Sequence, residues 1–329
     1  MWGLIGVMRI WTKHAALLLA VAALLQFAAL HSTGQAGAQH AAPVLGAQEA
    51  LRRPRITGID HVGLYVSDFG KANEFYAQQL GLLSTGSGGC QGAPHRCFLV
   101  NGQQQIELQP APSPAPKNWI FEIAYATDDV QQMRRYLVAH KIEVTPITKD
   151  PNGARHFEVQ DPEGNTLAFI QRLASPKDWS IFSNQVGAKL FHAGFVVKDM
   201  AAENRFYVEL LGFKLYWYGG FKDDGLDWYE IQVPDGDNWI EYMLNIPASA
   251  DKKELGVQNH FSLGTRDAKD AAAQLRKNGV QKIDGPEIGR DGKNALDVYD
   301  PDGTRVEVME FTPTQKPCCH PYSAPHPQP

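Results

Sequence analysis

The sequence predicts an α+β protein built from four strand-helix-strand-strand-strand modules that pair into two related units. Two different signals each occur twice: a histidine in a short apolar strand and a Phe-Tyr pair in the helix that follows. His192 lies 131 residues after His61, and Phe206 lies 131 residues after Phe75 (192 − 61 and 206 − 75). A constant offset between unrelated signals indicates a tandem duplication.

Length and composition are consistent with this organisation. The chain has 329 residues, enough for about two domains, and its 43% apolar and 20% charged residues are ordinary for globular protein. The formal net charge is −5, and no long basic run is present. The sequence therefore gives no reason to expect a nucleic-acid partner.

The first 38 residues predict an export signal rather than part of the fold. Arg9 and Lys13 precede an apolar run from Ala15 to Leu30, and Ala36-Gly37-Ala38 matches a small-residue cleavage site. A run of sixteen residues is short for a membrane span. We expect a signal peptide over residues 1–38 and a periplasmic or secreted protein without stable membrane insertion, anchored in the membrane only if uncleaved.

Three further segments carry no periodic pattern. Residues 39–55 and 174–188 are predicted as linkers, and the Pro-rich residues 313–329 as a disordered tail. If the protein is exported, Cys90 and Cys97 can close a small-loop disulfide, with free thiols as the alternative.

The first unit, residues 56–173, shows the module pattern twice. Helices are predicted over Lys71–Leu80 and Asp129–His140, each preceded by one strand and followed by three. An Asp-Pro-x-Gly turn beginning at Asp161 precedes the last strand.

The second unit, residues 189–312, repeats this order, with helices predicted over Ala201–Leu211 and Ala268–Asn278. Asp199 and Asp267 stand immediately before these helices, where an acidic residue caps the free backbone N–H groups.

Two strands of the second unit each contain one residue of a type that commonly binds metals. His260 shares one strand face with Ser262, while Phe261 and Leu263 point to the opposite, apolar face. Glu307 follows an Asp-Pro-Asp-Gly turn in the last strand and likewise alternates with apolar neighbours. A sheet buried on its apolar side would offer an imidazole and a carboxylate on the other side.

Taken together, these motifs resemble the vicinal oxygen chelate superfamily, which includes glyoxalase I, extradiol dioxygenases and the bleomycin resistance proteins. The resemblance covers residues 56–312. It implies that each pair of modules curls into a glyoxalase-like cupped sheet around a divalent metal. The motifs are specific for the fold and leave the reaction open.

The resemblance implies one complete set of metal ligands, in the second unit. These ligands are His192, Glu241, His260 and Glu307. Two imidazoles and two carboxylates suit Ni²⁺, Co²⁺, Mn²⁺, Fe²⁺ or Zn²⁺. In the first unit the corresponding residues are His61, Glu107, Glu122 and Ala168. Because alanine cannot bind a metal, that set is broken.

The sequence does not show which modules share a cup. If the third module closes on the fourth, the site is the complete second-unit set. If the first closes on the fourth, the site is His61, Glu107, His260 and Glu307. Self-contained cups permit a monomer, whereas exchanged modules favour a homodimer.

For function, the resemblance implies a lyase or isomerase acting on a small substrate with neighbouring oxygens. Glu307 is the first candidate for the proton-transferring base and Glu241 the second. Asn245 matches a substrate contact of the family. The aromatic residues of the second unit add Trp217, Trp228 and Trp239 as candidate substrate contacts.

Two other functions stay open. A metal-free cup would bind or sequester a small molecule, as bleomycin resistance proteins do. An extradiol ring-cleaving dioxygenase would use His192, His260 and Glu307 as a two-His-one-carboxylate triad around Fe²⁺. It would leave Glu241 without a role.

Overall fold

The computed structural model describes residues 52–86, 90–173 and 183–329. The predicted signal peptide lies outside the described residues, as does much of each predicted linker. The described chain contains two eight-stranded sheets, one in each unit. Each sheet curls into a half-barrel, and the predicted α+β class is confirmed.

The first unit contains eight strands and two helices. Its strands are β1 (Ile56–Val66), β2 (Leu83–Gly86), β3 (Arg96–Leu99), β4 (Gln105–Pro110), β5 (Ile120–Thr127), β6 (Thr148–Lys149), β7 (Arg155–Gln160) and β8 (Thr166–Gln171). Its helices are α1 (Phe69–Asn73), which continues as π-helix over Glu74–Gln79, and α2 (Val130–Ala139). The strand order is β2-β3-β4-β1-β5-β8-β7-β6.

The second unit repeats this plan with one additional helix. Its strands are β9 (Lys189–Val196), β10 (Lys214–Gly219), β11 (Trp228–Gln232), β12 (Trp239–Met243), β13 (His260–Thr265), β14 (Asp284–Ile288), β15 (Asn294–Tyr299) and β16 (Arg305–Glu310). Its helices are α3 (Met200–Asn204), which continues as π-helix over Arg205–Leu210, α4 (Lys252–Gln258) and α5 (Ala268–Lys277). The strand order is β10-β11-β12-β9-β13-β16-β15-β14.

Strand pairing shows which modules share a cup. β1 pairs antiparallel with β5, and β9 pairs antiparallel with β13. The first module therefore joins the second, and the third joins the fourth. The alternative ligand set is divided between two sheets, because His61 and Glu107 lie in the first sheet while His260 and Glu307 lie in the second.

The helix ends follow the expected capping chemistry. Asp199 accepts a hydrogen bond from the Ala202 N–H, and Asp267 accepts from Lys269 and Asp270. Each bond satisfies a backbone donor that the first helical turn leaves free. These residues are the caps that the sequence predicts.

The two units meet through a reciprocal pair of hydrogen bonds, here called the clasp. Tyr76, from the first unit, donates to Asp300 of the second at 2.9 Å. Tyr207, from the second, donates to Asp161 of the first at 3.2 Å. Each bond joins the Tyr of one Phe-Tyr motif to the first Asp of the other unit's Asp-Pro-x-Gly turn. Both repeated motifs therefore serve the contact between units.

The C-terminal tail differs from the disorder predicted for residues 313–329. The Ser323 N–H donates to the Tyr216 carbonyl at 2.8 Å, and the Tyr216 hydroxyl is 2.9 Å from His326 Nδ1. Tyr322 packs its ring 4.8 Å from that of Tyr216. The tail lacks periodicity, but its aromatic and polar side chains find fixed partners on the second unit.

Both cysteine pairs are disulfide-bonded, Cys90 to Cys97 and Cys318 to Cys319. Among the described helices, none has the length and apolar character needed to cross a membrane.

Candidate metal centre

Four side chains of the second unit converge on the concave face of its sheet. They come from its four central strands: His192 from β9, Glu241 from β12, His260 from β13 and Glu307 from β16. Register brings them together, because Gly194 of β9 lies opposite both Glu241 and His260, and Ser262 pairs with both His192 and Glu307.

The ligand atoms of His192, Glu241 and His260 lie close enough together for a single small site, and Glu307 adjoins it through His192. His192 Nε2 is 3.1 Å from His260 Nε2, 3.4 Å from Glu307 Oε2 and 3.8 Å from Glu241 Oε2. His260 Nε2 is 3.2 Å from Glu241 Oε2. Two atoms that bind one ion at about 2.1 Å and at right angles lie about 3.0 Å apart. The spacing therefore suits one shared divalent ion.

His260 is oriented as a ligand by its other ring nitrogen. Its Nδ1 lies 3.0 Å from the Gln258 carbonyl, an acceptor, so the proton belongs on Nδ1 and the Nε2 lone pair faces the site. Gly194 makes room for the ring, because a Cβ there would lie 2.1 Å from His260 Cε1. The glycine and the carbonyl together fix the imidazole.

Burial keeps both imidazoles neutral. His192 and His260 are almost completely buried, and this burial lowers the pKa of each well below its ordinary value. Burial also raises the pKa of Glu307 to about 8; Arg305 opposes the shift, while Asp297 and Glu241 add to it. His192 Nδ1 has no hydrogen-bond partner among the described residues.

A cavity of about 270 Å³ opens above this group. Glu241 and Glu307 line its floor, and the predicted substrate contacts Trp217 and Trp228 line its walls. Trp239 is buried beneath the site instead, with its ring 4.9 Å from that of His192. It supports the imidazole from below.

Asn245 lies outside the cavity lining. It is exposed, adopts a left-handed backbone conformation with φ of 61°, and donates to the Leu226 carbonyl and to Asp227 Oδ1, both at 2.9 Å. The structure thus places it in a turn beyond β12 that braces the start of β11. Its amide is engaged within that turn, and its contact with a substrate stays a prediction.

The first cup holds a different arrangement at the matching positions. His61 Nδ1 is 2.8 Å from Asp60 Oδ1, and its Nε2 is 2.9 Å from Glu122 Oε1. Arg172 pairs with Asp60, and the loop residue His95 pairs with Glu107. Both ring nitrogens of His61 are therefore occupied by carboxylates.

Burial lowers the pKa of His61, but the hydrogen bonds to Asp60 and Glu122 and the charges of Glu107 and Glu122 outweigh it and raise the pKa to about 10. The ring is protonated at neutral pH and has no lone pair for a metal. At the fourth position Ala168 is buried in a small apolar cluster with Ala124.

Comparison with known proteins gives a family match over each of the two units. The Glyoxalase/Bleomycin resistance protein/Dioxygenase superfamily matches residues 58–169 and again residues 189–308. The chain belongs to this superfamily.

Relatives and solved structures extend the superfamily match. An uncharacterized Bacillus subtilis protein, YwbC, is 32% identical over 124 residues, which cover 35% of this chain and 97% of YwbC. A Mn(II)-bound glyoxalase from Novosphingobium aromaticivorans superposes with a TM-score of 0.60 at 21% identity, covering 78% of this chain and 83% of that one. The 2,3-dioxygenase LapB from Pseudomonas sp. KL28 superposes with a TM-score of 0.62 at 17% identity, covering 84% and 96%. At these identities the two structures show the fold alone.

In the second cup, the structure adds three polar residues to which the sequence analysis gave no role. Arg305 lies two residues before Glu307 on the same face of β16, so strand alternation is the signal that identifies it. Glu230 pairs with Glu241 across β11 and β12 and also lines the cavity.

The third residue is Lys293. The sequence does not indicate that it belongs to the site, because its position after Gly292 is typical of a loop. It is completely buried, with its ammonium 4.4 Å from the Trp239 ring and 5.0 Å from the Tyr322 ring. Its nearest carboxylate is Asp291, at 3.6 Å. The charge is thus held by aromatic faces as well as by an acid.

Proposed function

We propose that the second unit binds one divalent metal ion through His192, Glu241, His260 and Glu307. The observation that carries this is the convergence of two neutral imidazoles and two carboxyl groups beside a cavity. His192, Glu241 and His260 have ligand atoms 3.1 to 3.8 Å apart, and Glu307 lies 3.4 Å from His192. Buried groups of this kind are costly unless paired or bound to a metal.

We propose further that the protein is a lyase or isomerase acting on a small substrate with two adjacent oxygens. A bound divalent ion supplies a Lewis acid that stabilises negative charge as it develops on those oxygens. Trp217 and Trp228 hold the apolar part of the substrate and displace water. Arg305 lines the same cavity and adds positive charge there.

Glu307 is the proposed proton-transferring base. Within 4.0 Å its carboxylate reaches one imidazole, His192, whereas that of Glu241 reaches both. Glu307 is thus the less firmly held carboxylate, and a small movement frees it to take a proton from the carbon beside the substrate oxygens. Glu241 remains to hold the two histidines.

The Mn(II)-bound glyoxalase among the structural neighbours supports this reaction class, and LapB supports the ring-cleaving alternative. In the described part of the chain, the cavity lining offers carboxylates for proton transfer and no histidine. Glu241 also has no role in a two-His-one-carboxylate scheme. We therefore favour the lyase or isomerase.

The test begins with metal content. Protein purified from cells expressing the full chain is stripped, reloaded with Mn²⁺, Co²⁺, Ni²⁺, Fe²⁺ or Zn²⁺, and analysed by elemental mass spectrometry. We expect about one ion per chain, lost in His260→Ala and kept in Glu122→Ala, the matched change in the first cup. A folded parent that retains no ion contradicts the metal site and favours a metal-free binding cup.

Turnover is then assayed on 2-oxoaldehyde–thiol adducts, vicinal diols and catechols. Glu307→Gln is expected to reduce turnover by about 10²- to 10⁴-fold, while Trp228→Ala should mainly raise KM. Oxygen-dependent cleavage of a catechol by the Fe²⁺ form, without isomerase or lyase activity, would instead establish the dioxygenase.

We also propose that the chain is exported. The basic and apolar pattern of residues 1–38 supports this, and so do the disulfides, which are typical of oxidising compartments. N-terminal sequencing of the mature protein tests it. A mature chain that still begins at Met1 would contradict cleavage.

A further inference from the structure

The docked tail carries a second chemical group, separate from the metal centre. Cys318 and Cys319 are adjacent in sequence and joined to each other, and both are partly exposed to solvent. By contrast, Cys90 and Cys97 are 1% and 0% exposed. A small thiol in solution can therefore reach one disulfide of the folded protein and not the other.

One sulfur of the exposed pair lies beside a fixed positive charge. Arg290 Nη2 is 3.6 Å from Cys319 Sγ, and the same guanidinium is paired with Asp223 at 2.5 Å. A neighbouring guanidinium stabilises a thiolate over a thiol and makes it a better leaving group. The Asp223 carboxylate lies within 4.8 Å of both sulfurs and offsets part of this positive charge. Because only Cys319 contacts the guanidinium, Cys319 is the sulfur that leaves more easily when the disulfide is attacked.

The same arginine connects the disulfide to the cavity. Arg290 lines the cavity, and its carbonyl accepts a hydrogen bond from the Cys318 N–H at 2.9 Å. The next tail residue, His320, accepts from Trp217 Nε1 at 3.0 Å, and Trp217 lines the same cavity. The disulfide is therefore located where the tail is attached to the cavity wall.

We propose that Cys318–Cys319 is a reversible redox site that accepts two electrons from a dithiol and thereby releases the tail from the cavity wall. A thiolate of the dithiol attacks Cys318 Sγ, forms a mixed disulfide there and expels Cys319 as a thiolate beside Arg290. The second thiol of the reductant then attacks the reductant sulfur that is bonded to Cys318. This closes the reductant's own disulfide and releases Cys318 as a thiol. The protein gains two electrons and two protons, and the dithiol becomes a cyclic disulfide.

Release follows from the contacts that the disulfide holds in place. Once the sulfurs separate, the Cys319 thiolate competes with Asp223 for Arg290, and the backbone of residues 318–320 is no longer constrained by the link. The hydrogen bonds from the Cys318 and Ser323 N–H groups weaken as a result. Oxidation restores the link and the docked tail.

The test uses the full chain and dithiothreitol, and it requires neither metal nor substrate. Native protein is treated with the dithiol, alkylated and analysed by mass spectrometry. We expect alkylation at Cys318 and Cys319 within minutes, with Cys90 and Cys97 protected until the protein is unfolded. Arg290→Met should slow reduction by about threefold to tenfold.

Hydrogen exchange of residues 318–326 gives the second readout. Reduction should accelerate exchange of the Cys318 and Ser323 amides by about tenfold or more. The double variant Cys318→Ser, Cys319→Ser should show this faster exchange with or without dithiol, whereas Cys90→Ser, Cys97→Ser should still respond. Equal reduction of both disulfides, resistance of Cys318–Cys319, or unchanged tail exchange after reduction would each overturn the proposal.

Discussion

The two cups have the same residue types at two of four equivalent strand positions and different ones at the other two, and the surroundings of these positions differ more than the residues themselves. The first cup has His61, Glu107, Glu122 and Ala168 where the second has His192, Glu241, His260 and Glu307. Three of the four positions in the first cup still hold ligand-type residues. A count of such residues alone would rank the cups as similar.

The residue that precedes the first histidine of each cup determines whether that histidine can bind a metal. In the first cup Asp60 precedes His61 and binds its Nδ1 at 2.8 Å, so the ring is protonated and paired on both sides. In the second cup the preceding residue is Phe191, and His192 Nδ1 has no partner among the described residues. The second cup thus keeps a neutral imidazole with a free lone pair, whereas the first is filled by its own ion pairs.

The largest expected effect is a pH dependence confined to the first cup. The folded-state pKa of His61, about 10, lies above its unfolded value of about 6.5, so its contribution to stability is complete below pH 6.5 and disappears as the pH rises through 10. We expect the parent to lose about 4 kcal/mol more than His61→Gln between pH 6 and pH 10. Urea denaturation at both pH values measures this, and equal losses would contradict the ion-pair description.

The fourth position provides a paired test of the two cups. Ala168→Glu buries a carboxylate among Ala124 and other apolar groups and should cost about 2 to 3 kcal/mol. Glu307→Ala, without metal, should change the free energy of unfolding by less than about 1 kcal/mol, because it removes a buried carboxyl group that has no firm partner.

Adding metal should increase the difference in stability between these two variants. At a metal concentration of about 100 times Kd, the parent should gain about 2.7 kcal/mol and Glu307→Ala much less. Ala168→Glu should respond as the parent does. Thermal unfolding with and without metal measures each case, and an equal gain in Glu307→Ala would remove Glu307 from the ligand set.

Two equivalent glycines give a smaller effect. Gly194→Ala forces the His260 ring to move and should weaken metal binding by about 10- to 100-fold. Gly63→Ala, the matched change, meets the Phe121 ring in the first cup and should leave metal affinity unchanged. Calorimetric titration compares the two, and equal affinities would show that the position of His260 tolerates displacement.

The smallest effect concerns a feature that the two units share. Tyr76→Phe and Tyr207→Phe each remove one hydroxyl of the clasp and should each cost about 1 kcal/mol of unfolding free energy. Metal content should be unchanged in both variants. A loss confined to one variant would show that the two halves of the clasp are not equivalent.

Much of this architecture was predictable because the repeats encode it locally. Strand alternation placed His260 and Glu307 on one face, and Asp199 and Asp267 identified helix starts. Module pairing was not predictable, because the contact between β9 and β13 joins strands that lie far apart in sequence and that have other apolar candidates for pairing.

Three site features escaped prediction for separate physical reasons. Asn245 matches a family position, yet its left-handed backbone turns the amide toward Asp227, a local choice that a motif does not record. Lys293 carries its charge in an aromatic cage assembled from distant segments. The tail lacks periodicity, and its order depends on single anchors such as Tyr322.

The clasp also affects how such a protein assembles and changes. Because both halves of the clasp lie on one polypeptide, the units meet at an effective concentration set by the connecting chain and do not separate on dilution. The ion pairs that fill the first cup leave Tyr76 and Asp161 free to form the clasp, so that unit still contributes its half of the contact between units. One half of a duplicated protein can therefore keep a structural contact with the other half whatever its own cup holds.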